Sequence, residues 1–258
     1  MDAWRSAITN TADGRVLVRG HDVVALMRTA SFADMVGLLL GGHSPSPGER
    51  RLIDAILVAI ADHGAGAPSA ATARMAATGN RAAPEAAVAA GILAIGDAHA
   101  GAGQACMVIL RDALARANAE GASLDQVASR VVAEAKAAGQ RLPGFGHRVY
   151  LSDPRTVALF ALAREAGVAG DGVALLEALG REVASQINPM AINVDCGIAA
   201  VLHDLGYAPA AAKLIFIIGR TAGLAAHVME EYERERPMRV RIPVTYDGPP
   251  PVSEGDER

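Results

Sequence analysis

The chain has 258 residues, of which 51% are hydrophobic and only 3% aromatic, and its formal net charge at pH 7 is −4. This length supports one large core, and the scarcity of aromatic side chains predicts closely packed helices built from Ala, Leu, Ile, Val and Met. The negative charge argues against nucleic acid as the main partner, and two cysteines without an apolar N-terminal signal core favour a reducing, cytoplasmic compartment.

The first 40 residues predict a hairpin followed by helices. Residues 6–19 alternate in hydrophobicity around Asp13-Gly14, a dipeptide typical of tight hairpin turns. From Asp22 the hydrophobic period becomes helical. Ser31 and Asp34 have the spacing of a capping box, which predicts a helix start at that point.

The rest of the chain predicts helices almost throughout. They cover about 50–63, 69–78, 83–95, 103–117, 124–138, 154–166, 172–187, 194–205 and 208–234. The tail 238–244, MRVRIPV, alternates like a strand. The longest apolar stretch, 214–228, is interrupted by Arg220 and His227, so we expect no membrane partner.

Three of the seven histidines follow the same pattern, because each lies close to glycine at the predicted end of an element. They are His63 in ADHGAG, His99 in GDAHAGAG and His147 in GFGHRV. A lone histidine in such a position is usually a surface or capping residue, but three of them favour a binding site. No histidine pair has helical i, i+4 spacing and no paired cysteine motif occurs, so no metal is expected. The chain also lacks a full dinucleotide fingerprint, a phosphate loop and a GxSxG elbow.

Two charged residues stand in apolar surroundings. Asp195, in MAINVDCG, fits equally well as a helix N-cap and as a general base, and Asn193 could orient its carboxylate. Arg220 interrupts the apolar helix IFIIGRTAG. A buried arginine requires an anion, which would be either a structural Asp or Glu or a substrate carboxylate.

Taken together, these motifs resemble the citrate synthase superfamily. The resemblance rests on GFGHRVY with DPR, GDAHAGAG, INVDCG, GRTAG and the early segment VRGHDVVALMRTASFADMVGLLLGGHSPSPGE, and it runs in consistent order from about residue 14 to 247. The stretch ADHGAGAPSAATAR looks like the ADHGPxxSGA segment of citryl-CoA lyases and of the lyase module of ATP citrate lyase. One departure is Ala100, which stands where the family usually has glycine.

The resemblance implies an all-α, citrate synthase-like fold with a short N-terminal hairpin. The chain 1–258 would form a single unit with a large lobe and a small helical lobe over about 148–190. It also implies a citryl-CoA lyase-like enzyme that makes or breaks the C–C bond between acetyl-CoA and oxaloacetate through an enolate.

The resemblance further implies a role for each site residue. Asp195 would handle the carbon proton, His99 would donate a hydrogen bond to the thioester oxygen, and His147 would exchange the proton of the carbonyl or hydroxyl oxygen. The expected substrate-binding residues are His63, Arg155, Arg220 and Arg236, the last contributed by the second subunit of a homodimer. Coenzyme A would be a substrate rather than a tightly bound cofactor, lying along Leu142, Pro143, Gly144, Phe145 and Gly146, with Arg148 as a candidate phosphate contact.

Three alternatives stay open from the sequence. The first is a minimal citrate or 2-methylcitrate synthase, which would also hydrolyse the thioester. The second is a non-catalytic relative that binds an acyl-CoA. The third is a helical scaffold without a site, which leaves Arg220 and the three histidine loops unexplained.

Overall fold

A bundle of eleven helices follows a small N-terminal sheet in the computed structural model, which describes residues 3–12, 14–146 and 152–250. The strands are β1 Thr9–Ala12, β2 Arg15–Val18 and β3 His21–Asp22. The helices are α1 Val23–Thr29, α2 Phe32–Gly41, α3 Pro47–Ile60, α4 Pro68–Gly79, α5 Pro84–Leu93, α6 Ala102–Glu120, α7 Leu124–Ala137, α8 Pro154–Glu165, α9 Asp171–Gln186, α10 Val194–Asp204 and α11 Pro209–Arg234. The all-α prediction with a short hairpin is confirmed.

The sheet is antiparallel, in the order β1-β2-β3. Ala12 faces Arg15 across the hairpin, at the position where the sequence predicts a two-residue turn, and Asp13 of that turn lies outside the described residues. Gly14 has a φ of +71°, the left-handed conformation that such a turn requires. At the predicted capping box, Ser31 accepts from the Asp34 amide and Asp34 accepts from the Ser31 amide, as the spacing predicts.

The core is centred on α11, which packs against α3, α4, α5, α6 and α10. This helix has the length and apolar composition of a membrane span, but the buried core helix of a protein can have both as well. It carries Arg220 into the protein interior, where the residue is only 3% exposed.

Helices α8 and α9 lie in the region that was predicted to form a small lobe. They pack against α10, α3, α6 and α7, and their buried residues belong to the same hydrophobic cluster as those of α6 and α10. The lobe boundary at about 148–190 stays a prediction.

The predicted strand over 238–244 is wrong, because these residues form no strand in the part of the chain that the structure describes. Their polar groups bind the helices instead. The Met238 amide donates to the Thr78 carbonyl, and the Arg239 guanidinium makes two 2.7 Å hydrogen bonds to the buried Glu231 carboxylate. The backbone at Met238 is thus anchored to α4 and the Arg239 side chain to α11, and the described part of the tail pairs with no strand.

Candidate active site

One cavity brings together five of the residues predicted from sequence. It has a volume of about 150 Å³ and is lined by His63, His99, Arg155, Asp195 and Arg220, together with Ile60, Ala100, Asn193, Val194 and Phe216. A larger cavity of about 550 Å³ lies between α8 and α9, but none of the predicted catalytic residues lines it in the described part of the chain. The chemistry therefore belongs to the smaller cavity, where four basic side chains face one carboxylate.

The five side chains come from five separate parts of the fold. His63 follows the end of α3, and His99 lies in a tight turn whose ends are held by two backbone hydrogen bonds between His99 and Gly96, 2.9 and 3.1 Å long. Arg155 and Asp195 lie in the first turns of α8 and α10, whereas Arg220 is in the middle of α11. Helix N-termini favour negative charge, so the first turns of α8 and α10 suit an anionic ligand.

Arg220 is a buried cation without a carboxylate partner among the described residues. Its Nε donates to the Ile60 carbonyl at 2.8 Å, its Nη1 donates to Ser69 Oγ at 3.4 Å, and its guanidinium lies 4.8 Å from the centre of the Phe216 ring. Burial lowers the pKa of the guanidinium, although an arginine stays charged in proteins. The structural-carboxylate alternative thus finds no partner among the side chains that the structure describes, which leaves a ligand carboxylate as the anion that Arg220 requires.

His99 is held by the same serine as Arg220. Its Nε2 lies 2.9 Å from Ser69 Oγ, and Ser69 is fully buried. Because Ser69 Oγ accepts from Arg220, its own proton is free to donate to Nε2 of a neutral imidazole. This favours the tautomer that carries its proton on Nδ1. A neutral ring with a free N–H suits hydrogen bonding to a carbonyl oxygen.

The pKa of His99 should lie below its ordinary value of 6.5, because the ring is partly buried and is repelled by Arg220 and His63. We expect an NMR titration of the imidazole to give a lowered midpoint. In Arg220→Gln the midpoint should move upward, because one repelling charge is removed. An unchanged midpoint in that variant would show that Arg220 does not act on the ring.

Asp195 is the only carboxylate that lines the cavity among the described residues. Its side chain accepts no hydrogen bond from any residue that the structure describes, and the N-cap of α10 is Asn193, whose Oδ1 accepts from the Cys196 amide at 3.1 Å. Burial raises the pKa of Asp195, whereas Arg155 and Arg220 oppose the rise. The N-cap interpretation of Asp195 is therefore wrong, and a carboxylate with a raised pKa in a cavity is suited to proton transfer.

Arg155 forms an ion pair with a neighbouring acid. Its Nε and Nη2 donate to the two oxygens of the buried Asp153 at 3.1 and 2.8 Å, and Asp153 also accepts from the Val194 amide at 3.2 Å. Asp153 thereby joins the starts of α8 and α10. The Arg155 side chain remains 27% exposed and still lines the cavity.

The segment 142–146 is held against the start of α10. The Asn193 amide donates to the Gly144 carbonyl at 2.9 Å, and the Gly146 amide donates to the Ala191 carbonyl at 2.8 Å. Gly144 has a φ of +80°, and a Cβ placed on it would lie 1.9 Å from Cys196 Sγ. This glycine is therefore required by protein packing, while the predicted contact of the segment with coenzyme A stays a prediction.

Replacing Gly144 by alanine should destabilise the protein by about 2–5 kcal/mol, since overpacking and a left-handed alanine both cost free energy. The matched control is Gly139→Ala, which has a φ of +63° but open space around its Cβ, so only the conformational cost applies. Chemical denaturation measures the free energy of unfolding of both variants. Equal losses of stability in the two variants would refute the packing argument.

The structure does not bring every predicted residue into the cavity. Arg236 is exposed just beyond the end of α11, about 20 Å along the helix from Arg220. His147 and Arg148 lie outside the described residues. The predicted contribution of Arg236 to a partner's site stays a prediction.

Sequence reasoning missed two groups that shape the site. Ser69 binds both His99 and Arg220, and Phe216 lies under Arg220 with its ring edge-on to His99 at 6.3 Å. Ser69 had a signal in the motif ADHGAGAPSAATAR, but the serine was interpreted only as part of a helix start. Asn193 was expected to orient Asp195 and instead caps α10.

The family model and the curated relatives that match this chain point to the same family. The model of the citrate synthase C-terminal domain family matches residues 41–241. A citrate synthase from Haloferax volcanii is 31% identical over 93% of this chain and 62% of its own length, and the citrate/2-methylcitrate synthase of Bacillus subtilis is 28% identical over 93% and 62%. The chain therefore spans about three fifths of the length of these curated relatives.

Solved structures match the whole chain. Citryl-CoA lyase from Hydrogenobacter thermophilus superposes with a TM-score of 0.89 at 34% identity, over 98% of this chain and 97% of that one. ATP citrate lyase from Methanothrix soehngenii, in complex with citrate and coenzyme A, superposes with a TM-score of 0.79 over 100% of this chain and 43% of that one. Its identity of 21% supports the fold alone.

Proposed function

The chain belongs to the citrate synthase family, and from this membership we propose that it cleaves citryl-CoA to acetyl-CoA and oxaloacetate. The observation that carries the proposal is the buried Arg220 guanidinium, which has no carboxylate partner among the described residues and faces the same cavity as Asp195 and His99. The match to a citryl-CoA lyase over nearly its full length supports cleavage as the reaction.

Substrate recognition follows from the charges around the cavity. Arg220 would bind one carboxylate of the citryl group, and Arg155, held by Asp153, would bind another. His63 would complete the set of hydrogen-bonding groups. Fixed guanidinium groups recognise carboxylates through paired hydrogen bonds, which also fixes the orientation of the ligand.

Cleavage then needs two proton transfers. His147, in the role that the resemblance implies, removes the proton of the citryl hydroxyl group. As its oxygen becomes the carbonyl of oxaloacetate, the C–C bond breaks and its electron pair forms the acetyl-CoA enolate. His99 donates a hydrogen bond to the enolate oxygen, and protonated Asp195 delivers a proton to the carbon. The raised pKa of Asp195 favours the protonated form that this direction requires.

The partners belong to the same proposal. We infer that the enzyme works as a homodimer in the cytoplasm, with the exposed Arg236 reaching the partner's site and coenzyme A acting as a substrate along 142–146. The two free, buried cysteines, Cys106 and Cys196, agree with a reducing compartment.

The experiment supplies synthetic citryl-CoA to the purified protein and measures oxaloacetate through malate dehydrogenase, with free thiol measured in parallel. We expect oxaloacetate without free coenzyme A. Citrate with free coenzyme A would instead establish the synthase alternative, in which the thioester is hydrolysed. Binding without either product would establish the non-catalytic relative.

A further inference from the structure

The loop that carries His63 is tied to α11 at two points. This loop, residues 61–67, connects α3 to α4, and His63 is exposed on it while also lining the active-site cavity. A side chain on an exposed loop keeps a fixed place only if the backbone around it is held. The first tie lies just before the loop, where Nε of Arg220 donates to the Ile60 carbonyl at 2.8 Å.

The second tie is the carboxylate of Asp62, the residue before His63. Its Oδ1 lies 2.9 Å from Nε2 of His227, which is on α11 about two turns beyond Arg220. Its Oδ2 accepts from the Gly64 amide at 2.9 Å, and the His63 amide bonds to the carboxylate as well. One carboxylate therefore joins α11 to the backbone of the two residues that follow it.

Asp62 and His227 act from outside the cavity. Among the described residues that line the cavity there is neither Asp62 nor His227. Burial raises the pKa of Asp62, but the hydrogen bonds from the Gly64 amide, His227 and the His63 amide outweigh it, so the pKa lies below its ordinary value of 3.8. The carboxylate is thus charged at neutral pH, where it binds its donors most strongly.

The surface of α11 is shaped to receive the loop. A Cβ placed on Gly223 would overlap the Ala61 carbonyl oxygen and lie 3.1 Å from Cβ of Asp62. Glycine at this position lets the loop lie directly on the helix, within reach of His227. The His227 side chain is only 12% exposed, compared with 46% for Asp62, so the helix supplies a ring whose orientation packing restricts.

We propose that Asp62 and His227 are positioning residues for substrate binding, which hold the loop on α11 so that His63 stands at a fixed distance from Arg220. The inference rests on the proposed function, because it assumes that His63 and Arg220 bind the same citryl group. It extends that function to two residues outside the cavity. Displacing a binding group by about 1 Å is enough to weaken its contact with a ligand, so the ties to α11 should matter for affinity.

The test compares His227→Ala with His227→Gln, because a glutamine amide can still donate a hydrogen bond to Asp62. We expect His227→Ala to raise KM for citryl-CoA about 10-fold and to leave kcat within about 2-fold, since a displaced binding group weakens ground state and transition state alike. His227→Gln should restore most of the affinity. The matched control is His43→Ala, which removes a histidine paired at 3.4 Å with Glu49, outside the cavity, and should leave KM unchanged.

A double-mutant cycle with His63→Ala separates positioning from a general loosening of the fold. If His227 acts through His63, adding His227→Ala to His63→Ala should change KM by less than about 2-fold. A structural role would raise KM by the same factor in both backgrounds. Amide exchange measured by NMR reports the tie itself, and exchange at Gly64 should become about 10-fold faster in His227→Ala but not in His227→Gln.

The outcomes separate the two proposals. An equal rise in KM with and without His63, or a His227→Ala protein with wild-type KM and wild-type exchange at Gly64, overturns the positioning role. Both leave the proposed function intact, because the wild-type protein still cleaves citryl-CoA. Asp62→Ala, which removes the other half of the pair, takes the place of His227→Ala in the same cycle if that variant fails to fold. A wild-type protein that does not cleave citryl-CoA refutes the proposed function, and the positioning role with it.

Discussion

Replacing Asp195 by asparagine is expected to lower kcat for citryl-CoA cleavage by about 10²–10⁴-fold, because the variant lacks the group that protonates the enolate carbon. Asparagine has nearly the same shape and cannot exchange a proton at neutral pH. The measurement is the rate of oxaloacetate release at saturating citryl-CoA. The control is Asp97→Asn, which changes a fully exposed carboxylate that forms an ion pair with Lys213 and should leave the rate unchanged.

The same substitution should leave the fold at least as stable. The pKa of Asp195 is raised in the folded protein, so the unfolded chain loses this proton at lower pH than the folded one. Ionisation of Asp195 therefore costs stability as pH rises above the ordinary value of 3.8, and the cost is fully present above the raised pKa. Asparagine has no such cost.

A folded Asp195→Asn protein with wild-type kcat would contradict the role of Asp195.

Replacing Arg220 by glutamine should raise KM for citryl-CoA by about 30-fold or more, since the loss of one partner from a buried charge pair costs about 2–5 kcal/mol of binding. The matched control is Arg74→Gln. Arg74 is also largely buried, but it is paired at 2.9 Å with both Glu230 and Glu231, so its loss removes one of the cations that each of these acids contacts. We expect Arg74→Gln to lower the unfolding temperature and to leave KM unchanged.

The two arginines thus separate binding from stability. Arg220→Gln removes a charge that makes no ion pair with a carboxylate among the described residues, so its effect should appear in KM rather than in the unfolding temperature. If Arg220→Gln lowered the unfolding temperature as much as Arg74→Gln and left KM unchanged, Arg220 would be a structural residue. That result would remove the observation on which the proposed function rests.

Sequence patterns predicted the features that depend on residues close to one another along the chain. Asp13-Gly14 between alternating residues predicted the hairpin turn, and Ser31 with Asp34 predicted a helix start. Arg220 was also recognised, because a charge within an apolar helix needs an anion wherever the helix packs. The sequence did not show that no carboxylate among the described side chains pairs with Arg220.

Long-range contacts account for what the sequence did not show. Ser69 joins His99 to Arg220 although 151 positions of the chain separate it from the arginine, and no local pattern marks such a contact. The tight fit of Gly144 against Cys196 is equally non-local. Alternating residues in the tail suggested a strand, but their partners proved to be helices.

The most direct test of the account follows citryl-CoA cleavage in D₂O by mass spectrometry of the products. The proposed mechanism predicts oxaloacetate together with acetyl-CoA that carries one deuterium in its methyl group, because Asp195 exchanges its proton with solvent before delivering it to the enolate carbon. In Asp195→Asn this product should nearly disappear. Free coenzyme A and citrate, or unlabelled acetyl-CoA from the wild-type protein, would contradict cleavage through an enolate at this site.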